Sequence, residues 1–162
     1  MSNQIQPPIN GSVLEGISKV LGDSSIGLTG TEIGKFLLEV NIPDIDPSNS
    51  KWRRIYNAFV SFQNRKQLSN NILTFINKSM NPARFIGRNE QYEDTRIELN
   101  KRLSFIGLRL TDKGKFKRTL KSDIISEAIM YLCSTSTVKF FILKLFLTRG
   151  SKAKNVLLFH HR

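Results

Sequence analysis

From Thr29 to Leu103 the apolar residues recur at helical spacing, in segments opened by capping chemistry and closed by a breaker. Thr29-Gly30-Thr31-Glu32 has the form of a capping box. The Thr29 hydroxyl accepts from the Glu32 amide while the Glu32 carboxylate reaches back to the Thr29 amide. Ile33, Phe36, Leu37 and Val40 follow at i, i+3, i+4 and i+7, which predicts an amphipathic helix ending before Pro43. The Pro/Asp/Ser/Asn stretch 41–50 reads as a loop, with Ser48 or Ser50 capping a helix over 51–67. Trp52, Ile55, Tyr56, Phe59 and Phe62 or Gln63 form the stripe expected to be buried there. Asn70 or Asn71 opens a third helix with Ile72, Leu73, Ile76 and Met80 on one side. Asn81-Pro82 sets a cap before Pro at the first helical position, so a new short turn starts there. Gly87 interrupts, and a longer helix from about Asn89 to Leu103 carries Tyr92, Arg96, Leu99 and Leu103 in line. Upstream, residues 1–11 read as a flexible lead-in. Val13, Ile17, Val20 and Leu21 predict a short helix over 12–21, broken by Gly22-Asp23-Ser24-Ser25.

The period changes after Leu103. Phe105 to Leu110 is short, apolar and partly alternating, Thr111-Asp112-Lys113-Gly114 is a turn, and Lys115-Phe116-Lys117-Arg118 alternates again. This predicts a β-hairpin near 105–118, with Gly114 supplying positive φ. Residues 121–131 look helical, opened by Ser122-Asp123. The expectation is a mostly α domain over 12–129 with one β-hairpin, winged-helix-like in arrangement. Beyond residue 130 the pattern deteriorates. Val138 to Leu147 is an apolar run interrupted by Lys139 and Lys144, well short of the roughly 20 residues that span a bilayer. From Ala128 onward there is no acid, and caps are lacking. Residues 130–162 therefore read as an atypical tail, truncated or frame-shifted.

Composition narrows the function. One Cys in 162 residues allows no internal disulfide, and neither a zinc finger nor an iron–sulfur site. The start Met1-Ser2-Asn3-Gln4 has neither the basic nor the apolar region of a secretory signal, so a cytoplasmic location is expected. The net charge of +12 is unevenly distributed: −4 over residues 1–50, +5 over 51–66, zero over 67–100, +5 over 101–127 and +6 from Ala128 onward. Clustered Lys and Arg suit a polyanion, because each phosphate they neutralise releases counterions.

Several blocks also carry a family likeness: Leu28-Thr29-Gly30-Thr31-Glu32-Ile33, Lys51-Trp52-Arg53-Arg54-Ile55-Tyr56-Asn57-Ala58-Phe59 with Gln63, and Met80-Asn81-Pro82-Ala83-Arg84-Phe85. They continue in Arg96-Ile97-Glu98-Leu99-Asn100-Lys101-Arg102-Leu103, Phe105 to Leu110 and Asp112-Lys113-Gly114-Lys115. Over roughly residues 13–129 the chain resembles the N-terminal region of an uncharacterised prokaryotic family of abortive-infection-type proteins. The resemblance implies a defence-type bacterial protein whose relatives continue into a helical, HEPN-like domain. The ribonucleases of that group pair an Arg with a His a short way along one helix. Here the nearest Arg before His160 is Arg149, too far back for that pattern.

Two basic patches are the candidate nucleic-acid-binding residues. The helix offers Lys51, Arg53, Arg54, Arg65 and Lys66 to phosphates, with Asn57 and Asn64 as readers of base edges. The hairpin and the residues just after it offer Lys113, Lys115, Lys117, Arg118 and Lys121, with Phe116 as a stacking aromatic. The competing use of Arg53 and Arg54 is pairing with Asp44, Asp46 or the acids of 90–94. Glu90, Asp94 and Glu98 share a helical face that could hold a divalent cation, but Arg88, Arg96, Lys101 and Arg102 lie close enough to pair with them. Cys133 and the terminal His160-His161 give no catalytic pattern. The expectation is a non-catalytic nucleic-acid-binding or sensor module that needs no cofactor and has no integral membrane segment. The alternatives are a protein-interaction or self-association module and, behind that, a metal-dependent nuclease.

Overall fold

Phe59 and Phe75 meet edge to face, ring centroids 5.1 Å apart, and Phe36 approaches Phe75 the same way at 6.1 Å. Around them the computed structural model describes residues 5–119. The helices are α1 (Gly11–Leu21), α2 (Gly30–Glu39), α3 (Lys51–Lys66), α4 (Asn70–Ser79) and α5 (Asn89–Leu103). Short 3-10 turns lie at Pro82–Phe85 and Ser104–Ile106. Strands β1 (Leu108–Leu110) and β2 (Phe116–Arg118) close an antiparallel hairpin in which Leu108 faces Arg118 and Leu110 faces Phe116. The expected mostly helical class with one hairpin is the observed one. These elements belong to a unit ending at Arg118. Lys121, the helix expected over 121–131, Cys133 and the tail 130–162 with His160-His161 lie outside the described residues.

Local chemistry places most boundaries. Both halves of the capping box form at α2: Thr29 Oγ1 accepts from the Glu32 amide at 3.2 Å, and Glu32 Oε2 accepts from the Thr29 amide at 2.9 Å. Asn81 caps the Pro82 turn by accepting from the Ala83 amide. The hairpin starts later than expected, because Ser104–Ile106 closes as a 3-10 turn and Gly107, at φ +67°, redirects the chain into β1. Neither Ser50 nor Ser69 makes a side-chain cap bond at α3 or α4.

Three stripes differ from expectation; in α4 the fully buried Phe75 joins Ile72, Leu73 and Ile76. In α1 the buried face is Leu14, Ile17, Ser18 and Leu21, with Val13 and Val20 at its margin. In α3 it is Ile55, Ala58, Phe59, Phe62 and Gln63, which leaves Trp52 and Tyr56 half-buried at the edge facing α1. The end of α1 comes so near the start of α3 that a Cβ on Gly22 would stand 2.5 Å from the Trp52 backbone.

The lead-in is not loose over its described part. Ile9 is buried, and its amide and carbonyl both bond the Gln63 side chain, at 3.0 and 2.9 Å. The Gln6 amide donates to Asn70 Oδ1, the Ser69 amide to the Gln6 carbonyl, and the Ser69 hydroxyl to the Pro7 carbonyl. These bonds supply the backbone partners that an extended segment lacks in itself. Gln63→Ala removes both bonds to Ile9 and leaves two buried backbone groups unpaired. It should lower unfolding stability by about 1–3 kcal/mol and speed hydrogen exchange at the Ile9 amide, measured by chemical denaturation and NMR.

Candidate nucleic-acid interface

Two of the three cations opening α3, Lys51 and Arg54, are turned inward, to loops before α2 and α3. Lys51 Nζ donates to the carbonyls of Asp23 at 2.5 Å and Ser24 at 3.3 Å. Arg54 grips Asp44: its Nε lies 3.1 Å from both carboxylate oxygens and its Nη2 2.5 Å from Oδ2, while Nη1 donates to the Gly30 carbonyl at 2.9 Å. The Arg54 side chain is only 12% exposed. Its pKa is raised, chiefly by the hydrogen bond to Asp44, against the opposing effect of burial. Asn57 Nδ2 donates to Asp46 Oδ2 at 2.8 Å. Lys51, Arg54 and Asn57, expected to face a nucleic acid, thus fasten loops 22–25 and 41–50 to α3. Of the acids in the first fifty residues, Asp44 and Asp46 fold back onto α3, to Arg54 and Asn57. Arg53 remains exposed, its guanidinium 5.2 Å from the Trp52 ring centre. Asn64, Arg65 and Lys66 are exposed at the far end of α3, where cations also suit the helix dipole.

The hairpin is anchored elsewhere, on α4 and α5. The Asn100 side chain bonds both backbone groups of Leu110, donating to its carbonyl at 3.0 Å and accepting from its amide at 2.7 Å. Tyr92 Oη donates to the Asp112 carbonyl at 2.9 Å, and Asn77 Nδ2 donates to the Gly114 carbonyl. Gly114 holds φ +67°, and a Cβ there would stand 3.0 Å from Pro82 Cδ and 3.2 Å from the Met80 carbonyl. Phe116, expected as a stacking aromatic, is half-buried and packs against the core opposite Leu110. The β-strand alternation that turns Phe116 inward turns its neighbours outward. Lys113, Lys115, Lys117 and Arg118 are exposed. None of the three lysines is in an ion pair with a described acid.

Other charged groups are engaged in ways sequence spacing only partly revealed. Arg84 Nη2 pairs with Glu32 at 2.6 Å across 52 positions of chain, its Nη1 donates to the Ser79 carbonyl, and its guanidinium lies over Phe36. No local pattern signals such a pair. Along α5, Glu93 bonds Arg96 and Glu98 bonds Lys101 and Arg102, the ion pairs that spacing allowed. Among the described residues no three of His, Cys, Asp and Glu gather as a metal site. No described helix is long and apolar enough to cross a membrane. Compared with models of known families, with curated proteins and with solved structures, the chain matches none.

Arg54 and Arg53 should separate cleanly. Arg54→Ala leaves Asp44 and the Gly30 carbonyl without their donor and should cost about 1–3 kcal/mol in urea denaturation, whereas Arg53→Ala should stay within about 0.5 kcal/mol. Glu32 gives a pH signature. Burial pushes its carboxyl upward, but the Thr29 amide and Arg84 together outweigh that and hold it below the ordinary glutamate range. The unfolded chain therefore takes up the proton first, so this stabilisation is present above about pH 4.3 and is lost as the pH falls further. Glu32→Gln should flatten that part of the acid-denaturation curve.

Proposed function

We propose that this chain is a non-catalytic nucleic-acid-binding or sensor module of a defence-type bacterial protein. In this reading the arrangement is winged-helix-like and the hairpin is the wing. The observation that carries it is the hairpin itself. Residues 108–118 hold five cations against one acid, Asp112, on strands that α4 and α5 hold in place. Lysines on a fixed scaffold meet phosphates without the ordering cost of a mobile loop. Arg65 and Lys66 at the end of α3 are a second exposed basic group. Lys51 and Arg54 in the first turn of α3 are not part of the proposed surface, because they already have partners. The block resemblance to abortive-infection-type proteins supports the biological setting.

A protein-interaction role has one observation in its favour. Ile86, Phe105 and Leu38 are large apolar side chains left 82%, 79% and 79% exposed. A nuclease built on the Glu90, Asp94 and Glu98 face has the least support, since Glu98 already serves Lys101 and Arg102.

Binding of the full chain to a duplex should weaken steeply with salt, and the Lys113→Ala/Lys115→Ala/Lys117→Ala variant should lose affinity while keeping its circular dichroism. Three lost phosphate contacts should reduce the slope of log affinity against log salt by about 2–3. Affinity independent of salt, or unchanged in the triple variant, would remove the hairpin from the function.

A further inference from the structure

Trp52 is the one tryptophan of the chain, and it is not in the core. It stands half-buried on the first turn of α3, with Lys19 Nζ and Arg53 Cζ each 5.2 Å from its ring centre. An open depression of about 480 Å³ lies beside it, bordered by Lys19, Gly22, Asp23, Ser24, Ser50 and Lys51. That volume falls within the roughly 300–1,000 Å³ of ordinary ligand pockets. We infer that Trp52 and this depression form a stacking site for one unpaired base of a single-stranded nucleic acid, with Lys19 and Arg53 taking the flanking phosphates. The inference rests on the proposed nucleic-acid function and names a second contact for it.

The surroundings suit that ligand. The Trp52 backbone is held by close approach to Gly22. The wall is fixed by Lys51, whose ammonium is bonded to the Asp23 and Ser24 carbonyls. The nearby acid does not face a ligand unpaired: the Asp23 carboxylate accepts from the Ser25 amide, the Ile26 amide and the Ser25 hydroxyl. Ser50 makes no cap bond to α3, so its exposed hydroxyl is left to meet a base edge. Lys19 pairs with Glu15 at 2.7 Å, but both side chains are about half exposed, and such a pair exchanges at little cost. A base that stacks on the indole displaces an exposed cation–π contact, which is the weaker of the two interactions. It also frees the displaced cation for the adjacent phosphate. A duplex cannot make the exchange, because its bases are already stacked on both faces.

The single tryptophan is its own reporter. The full chain is titrated at low salt with oligo(dT), with oligo(U) and with a duplex of equal length, following both tryptophan fluorescence and the anisotropy of a labelled strand. Single strands should quench the fluorescence. Trp52→Ala should weaken single-strand binding about tenfold and leave duplex affinity unchanged. Trp52→Phe, which keeps a ring in place, should lose less, with circular dichroism confirming that both variants fold. Quenching by oligo(dT) and oligo(U) alike assigns the site to the base face, and quenching by one alone assigns it to that strand type. Single-strand binding without quenching, or at wild-type strength in both variants, overturns the site while leaving the hairpin reading intact. Duplex binding with no single-strand binding does the same. No binding to any of the three overturns both readings.

Discussion

The buried stripe of α3 is the constraint on which the other elements depend. Ile55, Phe59 and Phe62 are closed off from water on a single helix face, and each neighbour is positioned by what it covers there. Phe75 of α4 meets Phe59 edge to face, the end of α1 presses on the first turn at Gly22, and Gln63 ties down the segment leading into α1. Burying large side chains of this kind contributes about 1.5–3 kcal/mol each. The polar Gln63 is tolerated among them because its amide answers both backbone groups of Ile9.

Charge is arranged by the same logic. The acids of the first fifty residues do not form a separate anionic surface. Asp44 and Asp46 return to Arg54 and Asn57 of α3, and Glu32 to Arg84 of the Pro82–Phe85 turn. What is left exposed is a different set of cations. They sit on the hairpin, at the far end of α3, and around Trp52. The net charge of the sequence thus overstates how much basic surface α3 offers and understates how much of the rest is concentrated on the hairpin.

The elements that were legible in the sequence were those governed by neighbours in the chain. The Thr29–Glu32 box, the Asn81-Pro82 turn, the extent of α5 and the Gly114 turn all depend on residues within four or five positions. The stripe of α2 was also legible, whereas that of α4 was read as Ile72, Leu73, Ile76 and Met80, without the fully buried Phe75. The stripe of α3 was less legible than that of α2, because Trp52 and Tyr56 extend it along one margin. Trp52 and Tyr56 lie at helical spacing from Ile55 and Phe59, yet they fall on the margin where α1 covers them only in part. The order in residues 5–10 was invisible, because Pro7-Pro8 and polar neighbours have the composition of a loop whether or not a glutamine 54 positions away bonds them.

By itself, then, the sequence determined the class: several short amphipathic helices followed by a two-stranded hairpin, with a surplus of basic residues after the first fifty. Periodicity and capping act over one or two turns of backbone, so they need no knowledge of the fold. Only the tertiary structure decided which cations remain available. An arginine reads the same in a sequence whether it faces solvent, as Arg53 does, or closes on a carboxylate ten positions away, as its neighbour Arg54 does. The difference is about one hundred degrees of rotation around a helix, and what decides it is the packing of loop 41–50 against that face.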